Sequence, residues 1–497
     1  MNLNKLKLIA ITCCLVLASL WLTAAVITGN YFSVTIATLI GLTIGWVVIG
    51  APVWWLAIPF SVAAGGVFYV GFKIYPYELA IAAAMLAIIP AATTNLGAIL
   101  KHRERLPMPV LLLCGYLGLH WILSIAYNRY FGLGGSGNVT RSYGAALWVV
   151  IFIILFHLFG STKQLRIALA LIFLGNLVRL LTGLVANYTM QTFTIPIINY
   201  TPAGFMTIIE GAGAQDLRHS GLALCALSLA ILPLCRTRVF QLVFVCLAAL
   251  SLPVLLLGGG RGALVVWFFF PTLYCLLYRK IWSLLVFICL IIGIVGIINA
   301  EPRMLNGLPF YAQRAASILI VEEGISAAQE IGSRSNQFHE RFTAEAYARW
   351  TQNLFTFLFG TGIRPAEKNF SLESDYGYGN FGLWLEAMVT NAANTGAYEK
   401  GIWTVLAVTG LAGLLLYLNV FRWLFWQVGK DLWRNKISTP GRALGFLGIV
   451  NTVVWLLLGW KLGSYPSYEI FCLYLAYQAL MDSRGRAEPE DSESIYS

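Results

Sequence analysis

Charge is what this sequence lacks. Of its 497 residues only 11% are Asp, Glu, Lys or Arg, against roughly a quarter in soluble domains, while 59% are hydrophobic. No soluble core needs that balance. A cysteine framework is missing too: the nine cysteines (Cys13, Cys14, Cys114, Cys225, Cys235, Cys246, Cys275, Cys289 and Cys472) lie within or beside apolar runs, so neither a disulfide scaffold nor a metal cluster is implied. The alternating segments of about ten residues that mark a transmembrane barrel are absent as well. The formal charge of +11 is spread singly or in short groups between apolar runs, which argues against nucleic acid as a partner.

What is there instead is a succession of apolar runs of about 18 to 22 residues, each long enough to cross a hydrocarbon core as a helix. They fall at approximately 6–28, 31–51, 53–72, 78–100, 108–127, 143–160, 165–186, 219–235, 239–257, 262–278, 281–299, 401–421, 443–460 and 466–481. The first, though preceded by Lys5 and Lys7, lacks a small-x-small cleavage site and leads into another span, so it reads as a helix rather than a signal peptide. If one of the tight pairs around 28–31 or 51–53 is a single re-entrant hairpin, fourteen spans become twelve and nothing downstream changes side. The expected class is an all-α polytopic membrane protein of about 12–14 helices.

Basic residues alternate by side. Lys5 and Lys7, Lys101 to Arg105, Lys163 and Arg166, Arg236 and Arg238, Arg279 and Lys280, Arg422 to Arg442, and Arg484 and Arg486 all fall on one face. By the positive-inside rule that face is cytoplasmic, which puts both termini inside and segments 128–142, 187–218 and 300–400 outside. The chain then divides into N-terminal spans (1–160), central spans carrying arginine motifs (161–299), a large outer loop (300–400), C-terminal spans (401–481) and a disordered cytoplasmic tail (482–497).

The outer loop holds half of the chain's 22 acidic residues. Within it Phe338, Phe342, Tyr347, Trp350 and Leu354 recur near helical spacing, with Arg341, Glu345 and Arg349 on another face, a pattern that predicts an amphipathic helix on the membrane surface. Gly360, Gly362 and Pro365 would end it. The Gly- and aromatic-rich tract 376–382 reads as a loop that could face sugars.

Arginines at the outer ends of spans carry the chemical signal, because a charge at or within the membrane is costly and marks function by default. Arg218 opens one span, Arg261 opens another within Gly258-Gly259-Gly260-Arg261-Gly262, and Arg179 lies inside a third. A guanidinium at a helix N-terminus, beside free backbone N–H groups and the positive end of the dipole, suits a phosphate or diphosphate. The alternative is a snorkelling anchor at the interface. Arg341 and Arg349 are candidate substrate contacts or merely the polar face of their helix. Glu399, where the loop re-enters the membrane, is a candidate general base or an ordinary acid at a helix start. His219 is on the outer side. No metal-ligand spacing occurs, and no cofactor is implied.

The order of these features resembles the O-antigen ligase and O-antigen polymerase family of bacterial envelope polysaccharide assembly. Arg218-His219-Ser220-Gly221 is similar to its Arg-x-x-Gly, Gly260-Arg261-Gly262 to its Ser-Arg-Gly, and Gly410-Leu411-Ala412-Gly413 to its Gly-Leu-x-Gly. The resemblance covers about residues 160–425. Where that family has His-Asn, this chain carries Glu399-Lys400, which weakens the ligase branch and favours a diverged polymerase.

What the resemblance implies is a GT-C-like, metal-independent glycosyltransferase of the bacterial inner membrane, with a large helical periplasmic loop. It would act on a polyprenyl-diphosphate-linked glycan, among membrane lipids and alongside flippase and chain-length regulator proteins. Arg218 and Arg261 would neutralise the departing diphosphate, Glu399 would accept the proton, and Arg179, Arg341, Arg349 and His219 would hold substrate. Two other classes compete. A transporter of a polar solute or lipid-linked sugar would place broken helices and polar residues near the bilayer midplane. An assembly protein would use the loop only to bind partners.

Overall fold

The structure, a computed structural model, describes residues 56–69, 73–84, 107–130, 136–159, 164–189, 193–195, 198–201, 215–258, 261–307, 310–320, 327–362, 401–434, 439–459 and 465–485. The expected spans 6–28 and 31–51, residues 85–100 of the expected span 78–100, the tract 376–382 and Glu399 lie outside them. Among the described residues seven helices are long and apolar enough to cross a membrane, and two further helices have shorter apolar stretches. The ten expected spans from 108 onward all coincide with helices. The protein is a multi-pass membrane protein of predominantly helical class.

The chain divides into two compact units, residues 1–104 with 154–220, and residues 105–153 with 221–497. In the first, the expected span 53–72 is corrected. The helix there runs only Ala57–Ala64, about 12 Å at the helical rise and far short of a bilayer. Gly65 and Gly66, both with positive φ, end it, and the chain passes into β1 (Val67–Tyr69) and β2 (Lys73–Ile74). These join β3 (Phe193–Ile195) and β4 (Ile198–Thr201) in an antiparallel sheet of order β2-β1-β4-β3, with Phe68 opposite Tyr200. The apolar run hid a Gly-Gly stop followed by a Val-Phe-Tyr strand, which hydropathy cannot separate from a helix. This small sheet is an addition to the helical class expected from sequence.

The short Ala57–Ala64 helix packs on Leu165–Thr189. Gly175 permits the approach, since a Cβ there would stand 2.6 Å from the Phe60 carbonyl oxygen and 2.8 Å from the Ala63 Cβ.

The core of the second unit is the helix Ser467–Gly485, in which every residue from Ile470 to Ala476 is buried. A helix apolar on all sides must be covered on all sides. Thr439–Leu458 covers one of them closely, because Gly448 leaves room for the Leu473 backbone and side chain. Phe471 meets Phe152 edge-on at 4.6 Å and Trp148 at 5.6 Å on another. That last helix continues to Gly485, into the segment expected to be a disordered tail.

The described part of the outer loop is helical: Phe310–Ala316, Ala327–Trp350 and Leu354–Phe359, with 3₁₀ turns between. The amphipathic helix is present, but it stops at Trp350 rather than at Gly360. Asn353 then opens a new helix through a reciprocal capping box with Thr356, the Asn353 side chain accepting from the Thr356 N–H at 2.9 Å. The buried stripe of the long helix is Phe342 and Ala346, while Tyr347 is 52% and Leu354 74% exposed, so these two do not belong to the buried face their spacing suggested.

Candidate functional site

In the first unit, Arg179 lies one turn beyond Gly175 on Leu165–Thr189. Its guanidinium lies against Gly65 at the end of the Ala57–Ala64 helix, where a Cβ would be 3.6 Å from Cζ. The carbonyl end of a helix is the negative end of its dipole, so this placement stabilises the short helix as well as positioning a cation. Neighbouring polar side chains are satisfied within their own helix: Asn176 Nδ2 donates to the Ile172 carbonyl at 2.9 Å and Thr182 Oγ1 to that of Val178 at 2.8 Å.

Arg218 and His219 sit in the first turns of the helix Gln215–Ile231, Arg218 half-buried and His219 exposed. The His219 imidazole is within electrostatic range of both Arg179 and Arg218. Ser220 beside them is buried, and its hydroxyl has no hydrogen-bond partner among the described residues. Two guanidinium groups within electrostatic range of one imidazole at a helix start can receive an anion such as a phosphate or diphosphate.

Arg261, in the second unit, opens the helix Arg261–Leu277 and is half-buried. What seats that helix is Ser251 on Arg238–Leu257, whose Oγ accepts from Trp267 Nε1 at 2.7 Å and donates to the Ala248 carbonyl. Gly221, the glycine of the Arg-x-x-Gly motif, sits on the same spot: a Cβ there would be 2.9 Å from the Ser251 carbonyl oxygen. That glycine is accounted for by close helix packing. Gly259 and Gly260 lie outside the described residues, and so does the loop geometry expected around Arg261. Arg218 and Arg261 belong to different units.

Arg341 is exposed, and Arg349 forms an ion pair of 2.8 Å with Glu345 one turn before it. Their helix joins the N-terminal half of Gly401–Trp433 through an aromatic cluster. Trp403 meets Tyr347 at 6.1 Å and Trp350 at 6.4 Å, Trp350 stacks on Phe357 at 4.8 Å, and Trp350 Nε1 donates to the Phe357 carbonyl at 2.9 Å.

The arrangement that sequence reasoning missed is in the same unit. The 33-residue helix Gly401–Trp433 is broken at Gly410, with φ 67° and ψ −172°. The Gly-Leu-Ala-Gly segment therefore interrupts a helix instead of ending one. Residues 360–362 of the outer loop fill the break. The Thr361 N–H donates to the Ala407 carbonyl at 2.9 Å, the Thr361 hydroxyl to the same oxygen at 3.1 Å, and the Gly362 N–H to the Val408 carbonyl at 3.0 Å. Gly360 and Gly410 touch backbone to backbone, leaving no room for a Cβ on either.

From the other side Tyr116 donates to the Thr409 carbonyl at 2.6 Å, and His120 Nε2 lies 3.1 Å from the Tyr116 hydroxyl. Tyr143 stands 3.4 Å from His120 Nδ1 and 3.1 Å from Ser124 Oγ. The signal was in the sequence: Tyr116, His120 and Ser124 recur at i, i+4, i+8 on an otherwise apolar helix.

Among the described residues no three His, Cys, Asp or Glu side chains gather as metal ligands. Comparison with protein-family models, with curated proteins and with solved structures finds no match to this chain.

Proposed function

We propose that the protein is a polymerase- or ligase-type glycosyltransferase that joins polyprenyl-diphosphate-linked oligosaccharides at the periplasmic face of the bacterial inner membrane. The observation that carries this reading is the gathering of Arg179, Arg218 and His219 at the start of a membrane helix. The strands Val67–Tyr69, Lys73–Ile74, Phe193–Ile195 and Ile198–Thr201 pair in one sheet, which fits an outer face built to hold a ligand.

In the reaction, an acceptor hydroxyl attacks the anomeric carbon of the donor sugar. The bond from that carbon to the diphosphate oxygen breaks, and the polyprenyl diphosphate leaves with the electron pair. Guanidinium groups stabilise the charge gathering on it, as Arg does for transferring phosphoryl groups. Glu399 takes the proton of the attacking hydroxyl. The helical outer loop, with exposed Arg341 and the ion-paired Arg349, supplies contacts for the glycan.

One observation favours the transporter reading: a helix broken inside the membrane is a recurrent device for holding ions and solutes. Here, however, the carbonyls freed at the break are taken by Thr361, Gly362 and Tyr116. The break serves to seat the outer loop, which is why the enzymatic reading stands first.

Glycan length on gels separates the two. Cells lacking the protein are complemented with wild type, Arg218→Ala or Arg261→Ala at matched expression. Loss of long polymer with normal delivery of lipid-linked units to the outer face is the expected result. Unchanged polymer in both variants removes the catalytic assignment, and a failure of delivery moves the transporter to the front.

A further inference from the structure

We propose that residues 354–362 of the outer loop form a latch inserted to the middle of the membrane, and that His120, Tyr116 and Thr361 are the positioning residues that hold it there. The proposal stands on backbone accounting and does not depend on what reaction the protein performs.

Depth follows from two helices independently. Gly410 is about 14 Å along its helix from Gly401, at a rise of about 1.5 Å per residue, and Arg422 ends the apolar run about 18 Å beyond. In a hydrocarbon core of about 30 Å the break is therefore near the centre. On Met108–Tyr130, a span in its own right, Tyr116 and His120 flank the midpoint, with Ser124 one turn further toward the outer end. Both helices place the same contacts at the same level, although residues 354–362 belong to a loop whose composition predicts an outer location.

At that depth no water is at hand to satisfy a bare carbonyl. Ala407, Val408 and Thr409 lose their helical partners at the break. The latch supplies Thr361 N–H, Thr361 Oγ1 and Gly362 N–H to the first two, and Tyr116 supplies its hydroxyl to the third. A latch withdrawn from the break leaves two carbonyls bare in hydrocarbon, so the latched arrangement is strongly preferred.

Proton accounting shows why His120 matters. Tyr116 has one proton and commits it to the Thr409 carbonyl, so its oxygen must accept from His120 Nε2. On its other side Nδ1 lies 3.4 Å from the Tyr143 hydroxyl, which stands 3.1 Å from Ser124 Oγ. The imidazole also faces the carbonyl of Phe359, the last residue of the latch helix. His120 thus touches both the latch and the tyrosine that holds the broken helix. Through Trp350 stacked on Phe357, the latch in turn fixes the height of the helix bearing Arg341 and Arg349.

Hydrogen exchange read by mass spectrometry on the full chain in lipid nanodiscs tests this. In wild type, the peptide covering 354–362 is expected to be as protected as the spanning helices. In Tyr116→Phe and His120→Leu it should exchange about tenfold faster, the opening expected from one lost buried hydrogen bond, while the helix Arg238–Leu257 stays unchanged. His120→Gln, which keeps a donor and an acceptor, should restore protection; a side chain that only filled space would be replaced equally well by Leu. Wild-type exchange at the rate of an open loop overturns the latch, and this arm needs no variant to fold. Equal protection in His120→Leu and wild type overturns the role of His120.

Discussion

Replacing Gly410 by Ala separates a broken helix from a straight one by the sign of the effect. In a continuous membrane helix, glycine is less favourable than alanine, so Gly410→Ala would stabilise the protein by about 1 kcal/mol. The observed backbone, φ 67° and ψ −172°, lies in a region essentially restricted to glycine, where a side chain costs about 1–3 kcal/mol. A methyl group would also run into the Leu358 carbonyl and the Gly360 backbone nitrogen, and overpacking of that kind costs about another 1–3 kcal/mol. The expected loss is thus about 2–6 kcal/mol, a large share of the roughly 5–15 kcal/mol that holds a typical domain together. Thermal unfolding in nanodiscs measures it, with Gly118→Ala as the control. A Cβ at Gly118, on a helix of the same unit, meets nothing within 4 Å, so that change is expected to be neutral or stabilising by up to about 1 kcal/mol. An unchanged or raised melting temperature for Gly410→Ala would refute the break and the seating of the outer loop with it.

Gly175→Ala is expected to destabilise the first unit by about 1–3 kcal/mol, because its methyl would meet the Phe60 carbonyl; limited proteolysis of residues 57–64 reads this out, and unchanged cleavage counts against the close packing. Trp267→Phe removes the indole donor from buried Ser251 and should cost about 1 kcal/mol in thermal unfolding, with no effect if that bond is not formed. Arg349→Ala breaks an i,i+4 ion pair worth only about 0.3–0.5 kcal/mol, so stability should barely move. If polymer length nevertheless falls, the loss belongs to substrate handling, whereas parallel loss of stability and polymer assigns Arg349 to structure alone.

Much of the membrane architecture was legible because hydropathy over about twenty residues reports length and burial together, and the helices from Met108 onward follow it closely. It failed where short backbone signals sit inside apolar runs. Gly65-Gly66 ends a helix and Gly410 breaks one, yet neither lowers the hydropathy of its window enough to show. The arginine candidates were visible as isolated charges, and Arg179 and Arg218 lie within electrostatic range of His219. The polar ladder Tyr116, His120, Ser124 was hidden for a different reason. Each residue alone is an ordinary occupant of a packed helix, and its partners at Thr409 and Tyr143 are set by tertiary structure.

Reconstitution tests the central claim most directly. Purified wild-type protein in nanodiscs is mixed with a polyprenyl-diphosphate oligosaccharide, and both the free polyprenyl diphosphate released and the length of the glycan are measured. The glycosyltransferase account predicts release matched by elongation or transfer in wild type, with both falling together in Arg218→Ala and in Arg261→Ala while the proteins remain folded. Wild-type protein that binds the lipid-linked glycan and moves it across the bilayer, with no diphosphate released, would contradict it.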